Sequence, residues 1–433
     1  MTLMNNHPSS RQNIEPLMVK LSPLVWVSGL SSVAYQLATA GALLRSNGRL
    51  NNLTLIQSLI LAYCIVYTAS ISWAAIQGAE FIRVLAALYN LSIWVMGAII
   101  FSTQGGKHEQ TRKSSRLILT ILLTLCIISY FLFAPRGSVR LSSLLGLVIN
   151  ADLLPENLAA NTNLHFTSAD WSTLGLGARL SIMSPYPTAL GMLALMLLTL
   201  AAPSDWSAKN LYRYAYYVAA CLIISFLSAS RAAMGCTILF VGLLSIFYVM
   251  RSMKSQNFKF FVISTLIATL AAATLGLGDR AASAWTSINA TRAESSTLRF
   301  DLYTKSVTAA IEEHPIIGFG VKERTNVFAI PLGSHSTLFG AMYKTGALGL
   351  LTVLAFFIGV TVISLKVAIN SASLYRAALG AGCISMIPLL VFEDIDAIPL
   401  VAYLFFLSIA MMERKSPEPR NVLQAHDINH DAK

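Results

Sequence analysis

The run Leu332-Gly333-Ser334-His335-Ser336-Thr337-Leu338 sets one histidine in a glycine turn, flanked by serines and followed by an apolar segment. The segment after it reads as a helix. An imidazole near a helix N-terminus tends to stay neutral, because the positive end of the dipole disfavours the imidazolium. Neutral imidazole is the form a general base requires. A capping or surface histidine would have the same local sequence, so both readings stand. His7, His426 and His430 lie in the tails, and His108, His165 and His314 have no comparable framing.

Three arginines stand out by context. Arg179 closes Gly177-Ala178-Arg179-Leu180 just ahead of Ser184-Pro185-Tyr186-Pro187 and an apolar span. Arg231 ends Ser228-Ala229-Ser230-Arg231 between two spans with almost no loop. Arg299 should open a helix, with Ser295, Ser296 and Thr297 as capping side chains. Leu298, Leu302, Tyr303, Val307, Ala310 and Ile311 then share one face, and His314-Pro315 ends the helix. A cation at a helix N-terminus opposes the dipole, which points to a compensating anion. A guanidinium fork binds phosphate bidentately and stays charged at any relevant pH. The bland alternative pairs these arginines with Asp279, Glu294, Asp301, Glu312, Glu313 and Glu323.

No His/Asp/Glu cluster has metal-ligand spacing, and Glu393-Asp394-Ile395-Asp396 reads as a solvated acidic turn. Gly318-Phe319-Gly320 reads as a turn, since no strand precedes it as a nucleotide loop would need. The five cysteines all fall in apolar runs, with no CxxC or Cys/His cluster, and carry no assigned role.

These residues must be positioned by a membrane fold. Of 433 residues, 55% are hydrophobic and only 12% charged, against about a quarter charged in soluble domains. A mean hydropathy of +0.63 agrees. Disorder, DNA binding and a secreted disulfide scaffold are excluded. The expected class is an all-α polytopic membrane protein with about eleven to twelve spans. Candidates are 21–43, 52–76, 81–101, 117–134, 181–202, 214–229, 232–250, 258–277, 346–365, 376–392 and 397–412. Ala38-Thr39-Ala40 resembles a signal-peptidase site, but the apolar stretch is long and more spans follow, so it reads as an uncleaved anchor.

Basic loops orient the chain. Lys107, Arg112, Lys113 and Arg116 belong to the cytoplasm, and alternation adds Lys209/Arg213, Arg251/Lys254/Lys259, Lys366/Arg376 and Arg414/Lys415. Residues 1–20 form a polar segment that alternation puts outside, although Arg11 and Lys20 favour the inside. Residues 21–412 form the transmembrane domain, and 413–433 a disordered cytoplasmic tail. The outer loops 135–180 and 278–337 form the active-site face. Ten arginines against four lysines fall on that outer side. Glu80, Arg83, Arg231, Lys344 and Glu393 sit at span edges, and the spans are nearly free of charge. Ion-coupled transporters place ionisable groups near the midplane, so a transporter or flippase is the weaker alternative. A structural partner would explain neither the histidine nor the arginines.

Residues 299–303, the run Glu313-His314-Pro315-Ile316-Ile317-Gly318-Phe319-Gly320, the Gly333–Leu338 turn and Lys344–Leu350 together resemble the outer-loop signature of bacterial O-antigen polymerases and O-antigen ligases. Arg179 and the Ser-x-Ser-Arg at 228–231 extend the resemblance, which covers roughly residues 175–365. It implies a GT-C-like, metal-independent, inverting glycosyltransferase with no cofactor, at the periplasmic face of the inner membrane. The implied donor is an undecaprenyl-pyrophosphate-linked glycan. The acceptor would be another lipid-linked repeat unit or lipid A-core, with membrane lipid and a chain-length regulator as further partners and no nucleic acid. On this resemblance His335 is the general base, and Arg299, Arg231 and Arg179 contact the pyrophosphate, with Arg292 and Arg324 in reserve. Many ligases carry asparagine after the histidine. Ser336 here leans the reading toward a polymerase of O-antigen or exopolysaccharide repeats.

Overall fold

The computed structural model describes residues 14–45, 53–103, 108–149, 154, 159–160, 162–168, 178–252, 293–324 and 330–414. Side chains at 252 and 293–296 are outside this description, as are the expected span at 258–277, Arg292 and the tail beyond Arg414. Twelve α-helices dominate it: α1 Ile14–Ser28, α2 Ala34–Arg45, α3 Leu55–Ile76, α4 Phe81–Thr103, α5 His108–Phe133, α6 Pro187–Ala201, α7 Ala208–Leu227, α8 Arg231–Ser252, α9 Ala293–Glu313, α10 Thr337–Asn370, α11 Leu374–Phe392 and α12 Pro399–Glu413. Six of them, α3, α4, α5, α8, α10 and α11, are long and apolar enough to cross a membrane. The protein is an all-α polytopic membrane protein.

Helices α6 and α12 have only 15 residues each, yet are apolar on every side and almost wholly buried. All-round hydrophobicity suits a core and a lipid boundary alike, and it is their burial that places these two helices inside. They form the centre, packed against α4, α8 and α11. Small residues permit the close approach: a Cβ on Gly382 of α11 would stand 2.1 Å from Thr199 Oγ1 of α6.

The expected first span divides in two. Gly29, at φ +80°, donates to Trp26 O, while Leu30 N donates to Val25 O, which closes α1 in a Schellman motif. Helix α1 opens at Ile14, inside the segment expected to be polar, and α2 returns the chain. The turn between them meets the stretch after the first strand, where Leu144 and Leu145 N–H groups donate to Val27 and Ser28 carbonyls.

Beyond the 3-10 turn Ala134–Arg136, the described part of the 135–180 region is mostly not helical. It forms a small antiparallel sheet of β1 (Val139–Ser142), β2 (Asn163–Ser168) and β3 (Arg179–Leu180) in that order. Phe166 seats the sheet on α1 and α5 through Trp26 and Phe133.

Helix α10 is broken at Gly346, whose φ of 61° and ψ of −161° lie in a region essentially reserved for glycine. The strap 315–320 repairs the break. Phe319 and Gly320 N–H groups donate to Tyr343 and Lys344 carbonyls, and Ala347 N donates to Pro315 O. Irregular backbone in an apolar setting needs such partners. The Pro-Ile-Ile-Gly-Phe-Gly run, read as a turn, is therefore a strap that holds the short helical segment 337–345 in place.

Candidate active site

That short segment carries the histidine at its head. Ser336 is its N-cap, accepting from Phe339 N at 2.9 Å and donating to Val391 O at 2.6 Å. His335 just precedes the cap with φ +59°, one of three non-glycine residues among those described with a left-handed backbone. Such a conformation costs about 1–3 kcal/mol and needs surrounding contacts to persist. The contacts are present. Tyr303 of α9 donates its hydroxyl to His335 O at 2.6 Å and stacks on Phe339. Gly333 N donates to Ser306 Oγ at 2.9 Å, so α9 grips the turn at two points.

His335 lines a cleft of about 450 Å³ with Lys322, Arg324, Arg83, Asp394 and Tyr186. Burial, together with the positive charges of Arg299 and Lys322, pushes its imidazole down to about 4, against a smaller opposing pull from Asp394. The ring is neutral at physiological pH. Desolvation is the largest cause of the shift, and a helix dipole acts in the same direction.

Arg299 is not at a helix N-terminus. Helix α9 opens at Ala293, so Arg299 lies in its second turn and the dipole argument for an anionic ligand lapses. Its anion belongs to the protein: Nη2 lies 3.3 Å from Glu393 Oε1. Glu393 is 1% exposed, while the Arg299 side chain keeps 36% of its surface. Burial raises the Glu393 carboxyl above its usual range, opposed by Arg299 and by the more distant Arg179.

Arg179 reaches the site from β3. Its Nε donates to Ser228 O at 3.0 Å and Nη2 to Ala229 O at 3.5 Å. Those carbonyls belong to a Schellman turn at the end of α7, where Ala229 takes φ +49° without being glycine. The guanidinium thus satisfies a helix C-terminus and favours its dipole. Arg231 begins α8 directly after this turn. The structure therefore joins His335 and Arg299 closely, and brings Arg179 toward them through Glu393. Arg231 stands beside the turn Arg179 holds, and none of Arg179, Arg231 and Arg299 is among the residues lining the cleft.

The acidic turn is the largest departure from the expected picture. Glu393, Asp394 and Asp396 are each at most 2% exposed, not solvated. Lys322 pairs with Asp394, and Lys344 pairs with Asp396 and stands 3.8 Å from Asp394. Trp94 Nε1 of α4 donates to Asp396 Oδ1 at 2.6 Å. Burial works to raise Asp394, but the two ammoniums outweigh it and hold the carboxyl below its ordinary value. Lys344, expected at a span edge, is 1% exposed inside the fold. Two carboxylates committed to two ammoniums leave little negative charge for a cation. Among the described residues no group of three or more His, Cys, Asp or Glu converges as a metal site.

Residues missed by sequence reasoning are Arg83, Lys322 and Asp394 on the cleft wall, and Lys344, Asp396 and Glu393 behind it. Arg83 donates to Lys322 O at 2.6 Å and pairs with Glu80. The available signal was Lys344 itself, a lysine two residues before the helix break within an otherwise apolar run. A buried lysine needs an anion, and the turn at 393–396 gathers three carboxylates at a span end.

Residues 216–354 match the family model described as O-antigen ligase. The matched stretch contains Arg231, Arg299 and His335, together with the strap and the helix break. It supports the O-antigen polymerase and ligase superfamily read from the sequence. No curated protein matches the chain.

Proposed function

We propose that this protein polymerises glycan repeat units carried on undecaprenyl pyrophosphate, with its cleft on the periplasmic side of the bacterial inner membrane. The carrying observation is His335: a neutral imidazole held in a strained turn on a cationic cleft, within the segment similar to O-antigen ligases. In this reading His335 takes the proton from an acceptor sugar hydroxyl as its oxygen attacks the anomeric carbon of the donor. The bond from that carbon to the pyrophosphate oxygen breaks, its electrons leave with the lipid pyrophosphate, and the anomeric configuration inverts. A pyrophosphate needs its growing charge stabilised more than it needs a proton, and fixed guanidinium groups supply that without a metal. Arg299 is the first candidate for the pyrophosphate, with Arg231, then Lys322, Arg83 and Arg324 of the cleft wall. Arg179 enters as the residue that fixes the turn from which Arg231 issues.

A second reading, transfer of the glycan to lipid A-core, has its own support. The matching family model is described as O-antigen ligase. Ser336, which leaned the sequence toward a polymerase, is an N-cap, and asparagine caps a helix equally well. Deleting the gene in its host and resolving the glycans on a gel separates the two. Single repeat units on lipid A indicate a polymerase; long chains left on the lipid carrier with bare core indicate a ligase. Complementation with His335→Ala or Arg299→Ala should fail at normal protein levels. Full synthesis by either variant would refute the site.

A further inference from the structure

The end of the helical bundle remote from His335 carries a second, unrelated crevice. It measures about 720 Å³ and lies between α5 and α7, lined by Arg116, Arg213, Asn210, Tyr212, Tyr216 and Tyr217. Its position is fixed by contacts. Arg116 Nε donates at 2.8 Å to Ala201 O at the end of α6, the end away from Pro185 and Tyr186 of the cleft. The same guanidinium lies 5.9 Å from the centre of the Tyr217 ring, a cation–π arrangement that holds it at the crevice wall.

Three properties define what would fit. The lining holds two guanidinium groups and no carboxylate, so its occupant should be anionic. Tyr212 and Tyr216 are 83% and 49% exposed and begin a stripe that continues through Ile223 and Phe226, spaced to lie on one face of α7. That stripe is apolar beyond its first turn, as a lipid-facing surface is, and tyrosine at its end marks the level of the headgroups. Helix α5 has a matching exposed apolar face at Leu117, Ile128 and Phe131. The crevice therefore opens where a headgroup would sit between two acyl-facing helices.

We propose that this crevice binds the phosphodiester headgroup of an anionic glycerophospholipid, with Arg116 and Arg213 on the phosphate and the tyrosines at the glycerol and headgroup level. Basic pockets between membrane helices recognise anionic lipids in this way. The site is separate from the proposed glycan chemistry and stands or falls without it.

The test is native mass spectrometry of the full-length protein, titrated in detergent with phosphatidylglycerol, cardiolipin or phosphatidylcholine of matched chains. The wild type should retain phosphatidylglycerol or cardiolipin well above phosphatidylcholine. Arg213→Gln, at an exposed position that leaves the fold intact, should lower anionic-lipid retention about fivefold, the effect of one basic group near a lipid surface. Lys113→Gln, on the same face but outside the crevice, should leave retention unchanged. Equal retention of the zwitterionic lipid overturns the proposal. So does a Lys113→Gln effect as large as that of Arg213→Gln, because diffuse surface charge would then account for the binding.

Discussion

At the scale of single residues, the site is organised by what burial does to charge. His335 has a folded value of about 4 against about 6.5 when unfolded. Between those values the unfolded chain binds a proton that the folded chain refuses, so this group's contribution to stability rises with pH through that window and is complete above it. Catalysis should follow the folded value. The acid limb of kcat/KM for glycan transfer is expected near pH 4, with a flat profile from about 5.5 to neutrality. A limb centred at 6.5 would mean the imidazole is not held neutral by its surroundings. His335→Ala should lower the rate by ~10²–10⁴. Behind the cleft, Lys344 and Asp396 form a pair with side chains at most 2% exposed. Asp396→Asn leaves a buried ammonium with only the more distant Asp394 and should cost about 3 kcal/mol. Lys344→Met combined with Asp396→Asn removes both charges and keeps an acceptor for Trp94. Thermal unfolding should show the double variant more stable than Asp396→Asn alone, and simple additivity of the two losses would contradict the pairing. His335 and Arg299 were legible because their local sequence is distinctive. Glu393 and Asp394 were not, because they are remote in sequence and their burial depends on where α11 and α12 meet α4.

At the scale of elements, the helix break in α10 links fold to site. The segment 337–345 is too short to be stable alone and holds the histidine turn only because the 315–320 strap and α9 pin it. A Cβ at position 346 would lie 2.4 Å from the Ile316 carbonyl, and its backbone angles are nearly closed to other residues. Gly346→Ala should therefore lower thermal stability by about 3 kcal/mol and reduce transfer further by displacing His335. Gly242→Ala is the control, since open space surrounds that position in α8. It should be neutral or stabilise by about 0.5–1 kcal/mol. Comparable losses in both variants would show that the break has no special role. Hydropathy made the long helices readable. It could not show the break, because residues 337–365 are continuously apolar apart from Lys344. Nor could it show the small sheet at 139–180, whose β1–β2 register rests on backbone pairing across 20 and more residues.

At the scale of the whole molecule, the α1–α2 hairpin removes a conflict in the charge pattern. A single span at 21–43 would put the N-terminal segment on the cleft side, against the bias of Lys20. The structure instead starts α1 near Arg414, whose charge Glu15 favours, and starts α3 near Glu413, bonded by Thr54. The turn between α1 and α2 lies at the opposite end, against the stretch that follows β1. The chain thus runs out and back before α3, and its first described residues share a face with Lys113 and Arg213. An orientation with that face in the cytoplasm would satisfy positive-inside bias for the N-terminal helix as well as for the later loops. Thiol labelling can check this with little background, because all five native cysteines are buried. In intact cells whose outer membrane is permeable to small reagents, a membrane-impermeant maleimide should modify Arg136→Cys on the cleft face. It should reach Ile14→Cys and Lys113→Cys only after the inner membrane is opened. Labelling of Ile14→Cys together with Arg136→Cys would restore the single span. It would also place the N-terminal segment on the face where the proposed glycan chemistry occurs.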